Sequence, residues 1–217
     1  MAQVIAAIQQ KGGVGKSTLL CALALVLARA GEKVLVVDTD RQHTCMDFHD
    51  LSDPGFDVYA ETNEDNVTEV VDRLKPKYDV ILIDSAGIDS QMIVYVAAAA
   101  DLVLIPSGAS RPDAAGAIRT WKKIKQVQAI SGRPKAVQVV LMNHNPAARV
   151  TANVSEAYRA AEAPLYKAGL PSLTGFKEMH TTGQLPEGAA ARHLDEFIQA
   201  LRADKLLGGR RGKAKAA

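Results

Sequence analysis

The string Gln10-Lys11-Gly12-Gly13-Val14-Gly15-Lys16-Ser17-Thr18 constrains the fold more than any other part of the chain. It follows a short apolar run, residues 4–8, and leads into an Ala- and Leu-rich stretch, residues 17–30, closed by Gly31. A strand, a glycine-rich turn and a buried helix in that order make a phosphate-binding loop. Glycines let successive backbone N–H groups turn inward around an anion, and the start of the helix adds its positive dipole end. Gly12, Gly13, Val14, Gly15, Lys16, Ser17 and Thr18 are therefore the expected nucleotide-binding set. Lys16 would reach the β and γ phosphoryl oxygens and stabilise the group being transferred, and Ser17 would ligate Mg²⁺.

Such a loop needs a sheet to carry it, and the rest of the chain supplies one. Continuous apolar runs recur at residues 33–38, 78–84, 101–106 and 136–142, as parallel strands covered on both faces require. Between and after them, residues 66–74, 90–99, 112–130, 149–163 and 193–206 have helical patterning. The polar segment 39–63 shows no clear element. Alternating strands and helices predict an α/β fold, a mostly parallel sheet flanked by helices. At 217 residues the chain has room for one domain, expected over residues 1–207. With 47% hydrophobic but only 5% aromatic residues, its core is built from Ala, Val, Leu and Ile. Residues 208–217 are basic and too poor in apolar side chains to fold alone, so a disordered tail is expected there.

In doubly wound sheets chemistry collects at the carboxyl ends of strands, where Asp38, Asp40 and Asp84 fall. Asp84 closes the run Val80-Ile81-Leu82-Ile83, and Asn143 closes Val139-Val140-Leu141-Met142. An Asn amide there offers a donor and an acceptor side by side, as reading an adenine edge requires.

The formal net charge of +2 conceals an uneven distribution. From Ala114 to Ser155 there is no Asp or Glu, while Arg119, Lys122, Lys123, Lys125, Arg133, Lys135 and Arg149 all occur. Ile118, Trp121, Ile124 and Val127 form the apolar stripe of that helix, leaving Lys122, Lys123 and Lys125 to point outward. Lysines on a rigid face contact phosphates without reading bases, so two readings stay open here, nonspecific DNA binding and a solvated helix face. Only Cys21 and Cys45 occur, which supports neither a disulfide framework nor a zinc site. The first residues lack a signal-peptide pattern, so a soluble, cytoplasmic protein is expected.

Lys-Gly-Gly-Val-Gly-Lys-Ser-Thr, residues 11–18, resembles the deviant Walker A motif of the ParA/MinD family of P-loop ATPases, with Gln10 where the strict Walker pattern has Gly. The resemblance implies an ATPase in which Lys11 reaches across a dimer interface to the partner's nucleotide, so that ATP controls homodimerisation. It also implies that Asp84 holds Mg²⁺ as a Walker B aspartate, that Asp40 orients the attacking water and that Asp38 lies near the metal. Asn143 would read the adenine.

Arg41 and Ala86 depart from the family's usual prolines in those loops. Leu104-Ile105-Pro106 followed by Pro112-Asp113 looks like the exit of the family's fourth strand. The segment from Gly169 to Pro186 resembles its late region loosely. The chain looks like the small ParA type without an operator-reading domain. That type implies nonspecific DNA held through residues such as Lys122, Lys123, Lys125 and Arg149, nucleoid association and an activating ParB-like adaptor. Two other readings stay open: a MinD-like regulator lying on a membrane through Phe197, Ile198, Leu201, Leu206 and Leu207, and a small P-loop synthetase or kinase.

Overall fold

Apolar runs buried on both faces form the central strands of this chain, and the computed structural model describes residues 1–87, 90–145 and 147–208. The strands are β1 Gln3–Ala7, β2 Val34–Asp38, β3 Asp57–Ala60, β4 Val80–Asp84, β5 Leu102–Ser107, β6 Ala136–His144 and β7 Leu170–Pro171. They make one seven-stranded sheet in the order β3-β2-β4-β1-β5-β6-β7, parallel at every pairing. The helices are α1 Lys16–Arg29, α2 Thr44–Asp50, α3 Glu64–Leu74, α4 Ser90–Ala99, α5 Arg111–Ser131, α6 Arg149–Ala160, α7 Thr174–Thr182 and α8 Gly188–Ala203.

The two-residue period of a strand sorts side chains between two apolar layers. On β1, Ile5 and Ala7 join a cluster with α1, α2, α7 and α8, whereas Val4, Ala6 and Ile8 join one with α3, α4, α5 and α6. On β4, Val80 and Leu82 face the first layer, and Ile81 and Ile83 the second. β1 is thus central, with β4 on one side and β5 on the other. The loop after it opens where the connections diverge, the place where open α/β sheets bind ligands.

Four elements were not foreseen. The segment 39–63 holds α2 and the edge strand β3, while α7 and the short β7 lie in the late segment. The apolar side chains once considered for a membrane face belong largely to the core: Phe197, Ile198, Leu201 and Leu207 are all at least 97% buried. That overturns their use as a membrane-facing stripe. Among the described residues no helix is long and apolar enough to cross a membrane. The Gly208 N–H donates to Gln3 Oε1 at 2.7 Å, at the amino end of β1 and away from the phosphate loop. The rest of the basic tail, residues 209–217, lies outside the described residues.

Candidate nucleotide site

The loop from Gln9 to Gly15 turns because two of its glycines take left-handed backbone, Gly13 at φ 72° and Gly15 at φ 95°. Gly15 starts α1, which begins at Lys16 without a side-chain cap, so its first N–H groups face the loop's hollow. Lys16 is 7% exposed. Its ammonium is close to Gly87, where a Cβ would stand 3.3 Å from Lys16 Nζ and 3.2 Å from the Gln10 carbonyl. Gly87 is therefore a place where the absence of a side chain lets the lysine sit. A cleft of about 780 Å³ opens here, lined by Gly12, Lys16, Asp40, Arg41, Thr62 and Gly87 among others.

At the floor of the cleft the strand-end carboxylates meet. Asp38 and Asp84 are opposite each other in the β2–β4 register, and neither is exposed. Ser17 Oγ donates to Asp84 Oδ2 at 2.5 Å. Asp84 Oδ1 is buried and has no hydrogen-bond partner among the described residues. Burial, reinforced by the neighbouring Asp38 charge, pushes the Asp84 pKa up to about 6 against the hydrogen bonds of Ser17 and Cys45 and the Lys16 charge. An orphaned, desolvated carboxylate oxygen beside a serine hydroxyl suits Mg²⁺, which takes one or two protein oxygens and fills its octahedron with water and phosphate. No cluster of three or more His, Cys, Asp or Glu able to hold a metal by itself occurs among the described residues.

Asp38 has a different set of contacts. Its Oδ1 accepts the Asp40 N–H at 3.1 Å, and its Oδ2 accepts those of Cys45 at 2.9 Å and Met46 at 3.2 Å. The carboxylate thus seats the start of α2; burial raises its pKa while these three N–H groups oppose the rise. Asp40 lines the cleft, with Oδ1 accepting the Gln42 N–H at 3.0 Å. The loop after β4, where Ala86 replaces a rigid proline, is held by Thr39. Its Oγ1 donates to the Asp84 carbonyl at 2.8 Å and accepts the Ala86 N–H at 3.2 Å.

Lys11 points the other way. Its side chain is 48% exposed, and Nζ donates to Asp113 Oδ1 at 2.5 Å. Asp113, in the first turn of α5, also accepts from the Ser110 hydroxyl at 2.5 Å. Burial opposes its ionisation, but Lys11 and Ser110 outweigh it and hold the pKa below the usual carboxylate value. A second hollow of about 580 Å³ lies here, lined by Lys11, Gly13, Asp113, Met142, Asn143 and His144 among others. Asn143 takes φ 49° at the mouth of β6 and is exposed there. Gly12 borders both hollows, so a ligand lying along the loop would touch each.

Three further contacts were not read from the sequence. Gln9, fully buried, donates to the Pro106 carbonyl at 3.4 Å and accepts the Thr120 hydroxyl at 2.9 Å, tying the loop to β5 and α5. Thr18 Oγ1 lies 2.8 Å from His180 Nε2, tying α1 to α7, and the His180 ring meets Phe48 of α2 edge-on. Burial lowers the His180 pKa, so the ring is neutral near pH 7. Cys45 Sγ donates to Asp84 Oδ2 at 3.2 Å and lies 3.7 Å from Cys21 Sγ. That contact with Cys21, followed by burial, pushes the Cys45 pKa well up. Each involves residues of different elements, and no local pattern marks them.

The basic residues do not form one patch. Lys122 and Lys125 are exposed on α5, Lys125 with Nζ 5.8 Å from the Trp121 ring centroid, and Lys123 is half-buried. Arg149 opens α6 at the carboxyl edge of the sheet. Lys122 is about 16 Å further along α5 than Arg111, at 1.5 Å per residue. Arg111, which shares a hollow with Asn153 of α6, is the cation near Arg149's end of the pair.

A parallel sheet with β1 central, a glycine loop at its carboxyl end and a Ser–Asp pair beneath it define a P-loop nucleotide-binding fold. The chain belongs to the CobQ/CobB/MinD/ParA nucleotide binding domain family, which matches residues 5–186. It is 30% identical over 177 residues to the maintenance of carboxysome distribution protein A of Gloeobacter kilaueensis, covering 80% of this chain and 76% of that one. Its fold resembles the Cyanothece McdA(D38A)–ATP complex with a TM-score of 0.77 at 17% identity, covering 97% of this chain and 99% of that one. It also resembles the septum site-determining protein MinD of Pyrococcus horikoshii OT3, complexed with Mg-ADP. There the TM-score is 0.71 at 20% identity, over 96% of this chain and 98% of that one.

Proposed function

We propose that this chain is a ParA-like positioning ATPase. It binds Mg-ATP, dimerises face to face in the ATP state and holds DNA without regard to sequence. It lets go after hydrolysis prompted by an adaptor protein. The observation that carries this reading is Lys11, a half-exposed ammonium on the outer side of the phosphate loop, paired to Asp113 rather than turned into its own cleft with Lys16. A cation so directed is of use to a second copy's phosphates, as an arginine finger is.

In this reading Lys16 stabilises the transferring phosphoryl group and the loop N–H groups from Gly12 to Thr18 cradle the phosphates. Asp40 orients the water and Asn143 meets the adenine. Ser17 and Asp84 hold Mg²⁺, with Asp38 fixing the floor beside them. When bound, the metal neutralises charge on the β and γ oxygens. Exposed Lys122 and Lys125, with Arg149 and Arg111 at the other end of the same helix pair, supply phosphate contacts, and nucleoid association follows from them.

The test is light scattering on size-exclusion chromatography with ATP, with ADP and without nucleotide. A dimer with ATP alone, lost in Lys11→Ala while ATP still binds, is the expected result. A monomer throughout, with turnover unaffected by Lys11→Ala, would point instead to a small P-loop synthetase.

A further inference from the structure

We propose that Cys45 is a positioning residue for the Asp84 carboxylate, its thiol fixing Oδ2 and so the orientation in which the carboxylate meets the nucleotide's cation. The inference rests on the Mg-ATP reading above and adds to it a residue outside the phosphate loop.

Cys45 touches both strand-end carboxylates. Its backbone N–H donates to Asp38 Oδ2 at 2.9 Å while its thiol donates to Asp84 Oδ2 at 3.2 Å. The first bond sets where α2 begins, and thereby where the sulfur stands. Behind it, Cys21 Sγ on α1 stands 3.7 Å from Cys45 Sγ. Both cysteines are fully buried, and no water competes for these bonds.

The consequence falls on Asp84. Oδ2 receives two donors, Ser17 from the loop and Cys45 from α2, and Oδ1 receives none from the described residues although it is equally buried. A carboxylate with one oxygen doubly held and the other bare has its rotation fixed. Ser17 is also the proposed metal ligand, and its hydroxyl can take the cation through a lone pair while its proton stays on Oδ2, shared between two tasks. Cys45 is then the donor on Oδ2 with that one task. Partners that orient a ligand in this way are commonly worth 10- to 100-fold in metal affinity. A thiol is a weak donor, which sets the expectation at the low end.

The experiment measures binding of a fluorescent ATP analogue as a function of Mg²⁺ concentration, for the full chain and for Cys45→Ala, Cys45→Ser and Cys21→Ala. Far-ultraviolet circular dichroism checks that each is folded. Cys45→Ala is expected to raise the half-saturating Mg²⁺ concentration about tenfold, with analogue binding in EDTA unchanged. Cys45→Ser, which restores a donor, is expected to return to within about twofold of the parent, as is Cys21→Ala, which leaves the Cys45 thiol in place. Equal titrations for parent and Cys45→Ala would overturn the proposal. So would equal shifts in Cys45→Ala and Cys21→Ala, because the cause would then be packing. If the parent shows no magnesium-dependent binding, the ATPase reading itself fails and the role assigned to Cys45 falls with it. The parent curve and the variant differences therefore report on separate claims.

Discussion

Lys11 of the phosphate loop and Asp113 of α5 form an ion pair within one chain, the ammonium 2.5 Å from Oδ1 of a carboxylate whose Oδ2 accepts the Ser110 hydroxyl. A lysine meant for a partner's phosphates must leave this acid first. Asp113 thus sets how readily the loop exchanges a contact within its own chain for one across an interface.

Asp113→Asn should lower the ATP concentration at which dimers form. The pair is partly exposed, so its hold on Lys11 is worth about 0–1 kcal/mol, up to about a fivefold change. Sedimentation velocity across an ATP series measures it, and the difference should shrink as salt rises. Weaker dimerisation in the variant would show that Asp113 helps rather than restrains Lys11.

The Asp84 carboxyl gives the nucleotide-free protein a pH dependence of definite sign. Its folded pKa of about 6 lies above the 3.8 of a free aspartate, so folding favours the protonated form. That contribution is fully present below the unfolded value and is lost as pH rises through about 6, by about 3 kcal/mol at most. Without magnesium and nucleotide, Asp84→Asn should melt higher than the parent at pH 7.5, and the gap should close toward pH 4. Thermal unfolding followed by circular dichroism at the two pH values checks this. Bound magnesium favours the ionised carboxylate, so Mg-ATP binding should weaken below pH 6 in the parent.

Gly87→Ala places a Cβ 3.3 Å from Lys16 Nζ and 3.2 Å from the Gln10 carbonyl. The ammonium can move and the backbone cannot, so Lys16 should shift. ATP turnover should fall about tenfold or more while the melting temperature changes little. Steady-state kinetics beside a thermal melt separates the two.

His180→Ala removes the partner of Thr18 Oγ1 and the edge-on contact with Phe48. Thr18 is half-buried and its hydroxyl can turn to water, so the loss should be about 1 kcal/mol. Urea unfolding measures it.

The readable parts of the fold were those whose physics is local. β2, β4 and β5 are apolar runs buried along their whole length and β1 and β6 are so along most of it, and the glycine loop announces itself by residue type. β3 is an edge strand whose residues are mostly exposed, so Asp57–Ala60 carries no apolar run. α2 has seven residues, with Cys45 and Phe48 its buried side chains, too short a stripe to register. β7 is two residues, Leu170–Pro171, that become a strand through pairing with β6.

The site divides in the same way. Lys16, Ser17 and Asp84 could be named from spacing. The partners Asp113 for Lys11, His180 for Thr18 and Cys45 for Asp84 are supplied by other elements, and only the folded chain brings them together. Asp38 could be placed at the end of β2 from the sequence, but that its oxygens accept the N–H groups of residues 40, 45 and 46 is visible only in the fold.

The most direct test of a nucleotide-switched hold on DNA is co-sedimentation with nonspecific duplex at low and moderate salt, with ATP, with ADP, and with Lys16→Ala in ATP. DNA retained only by the parent in ATP, and progressively lost as salt rises, is the expected result. Retention that ignores the nucleotide, or none in any state, would contradict it.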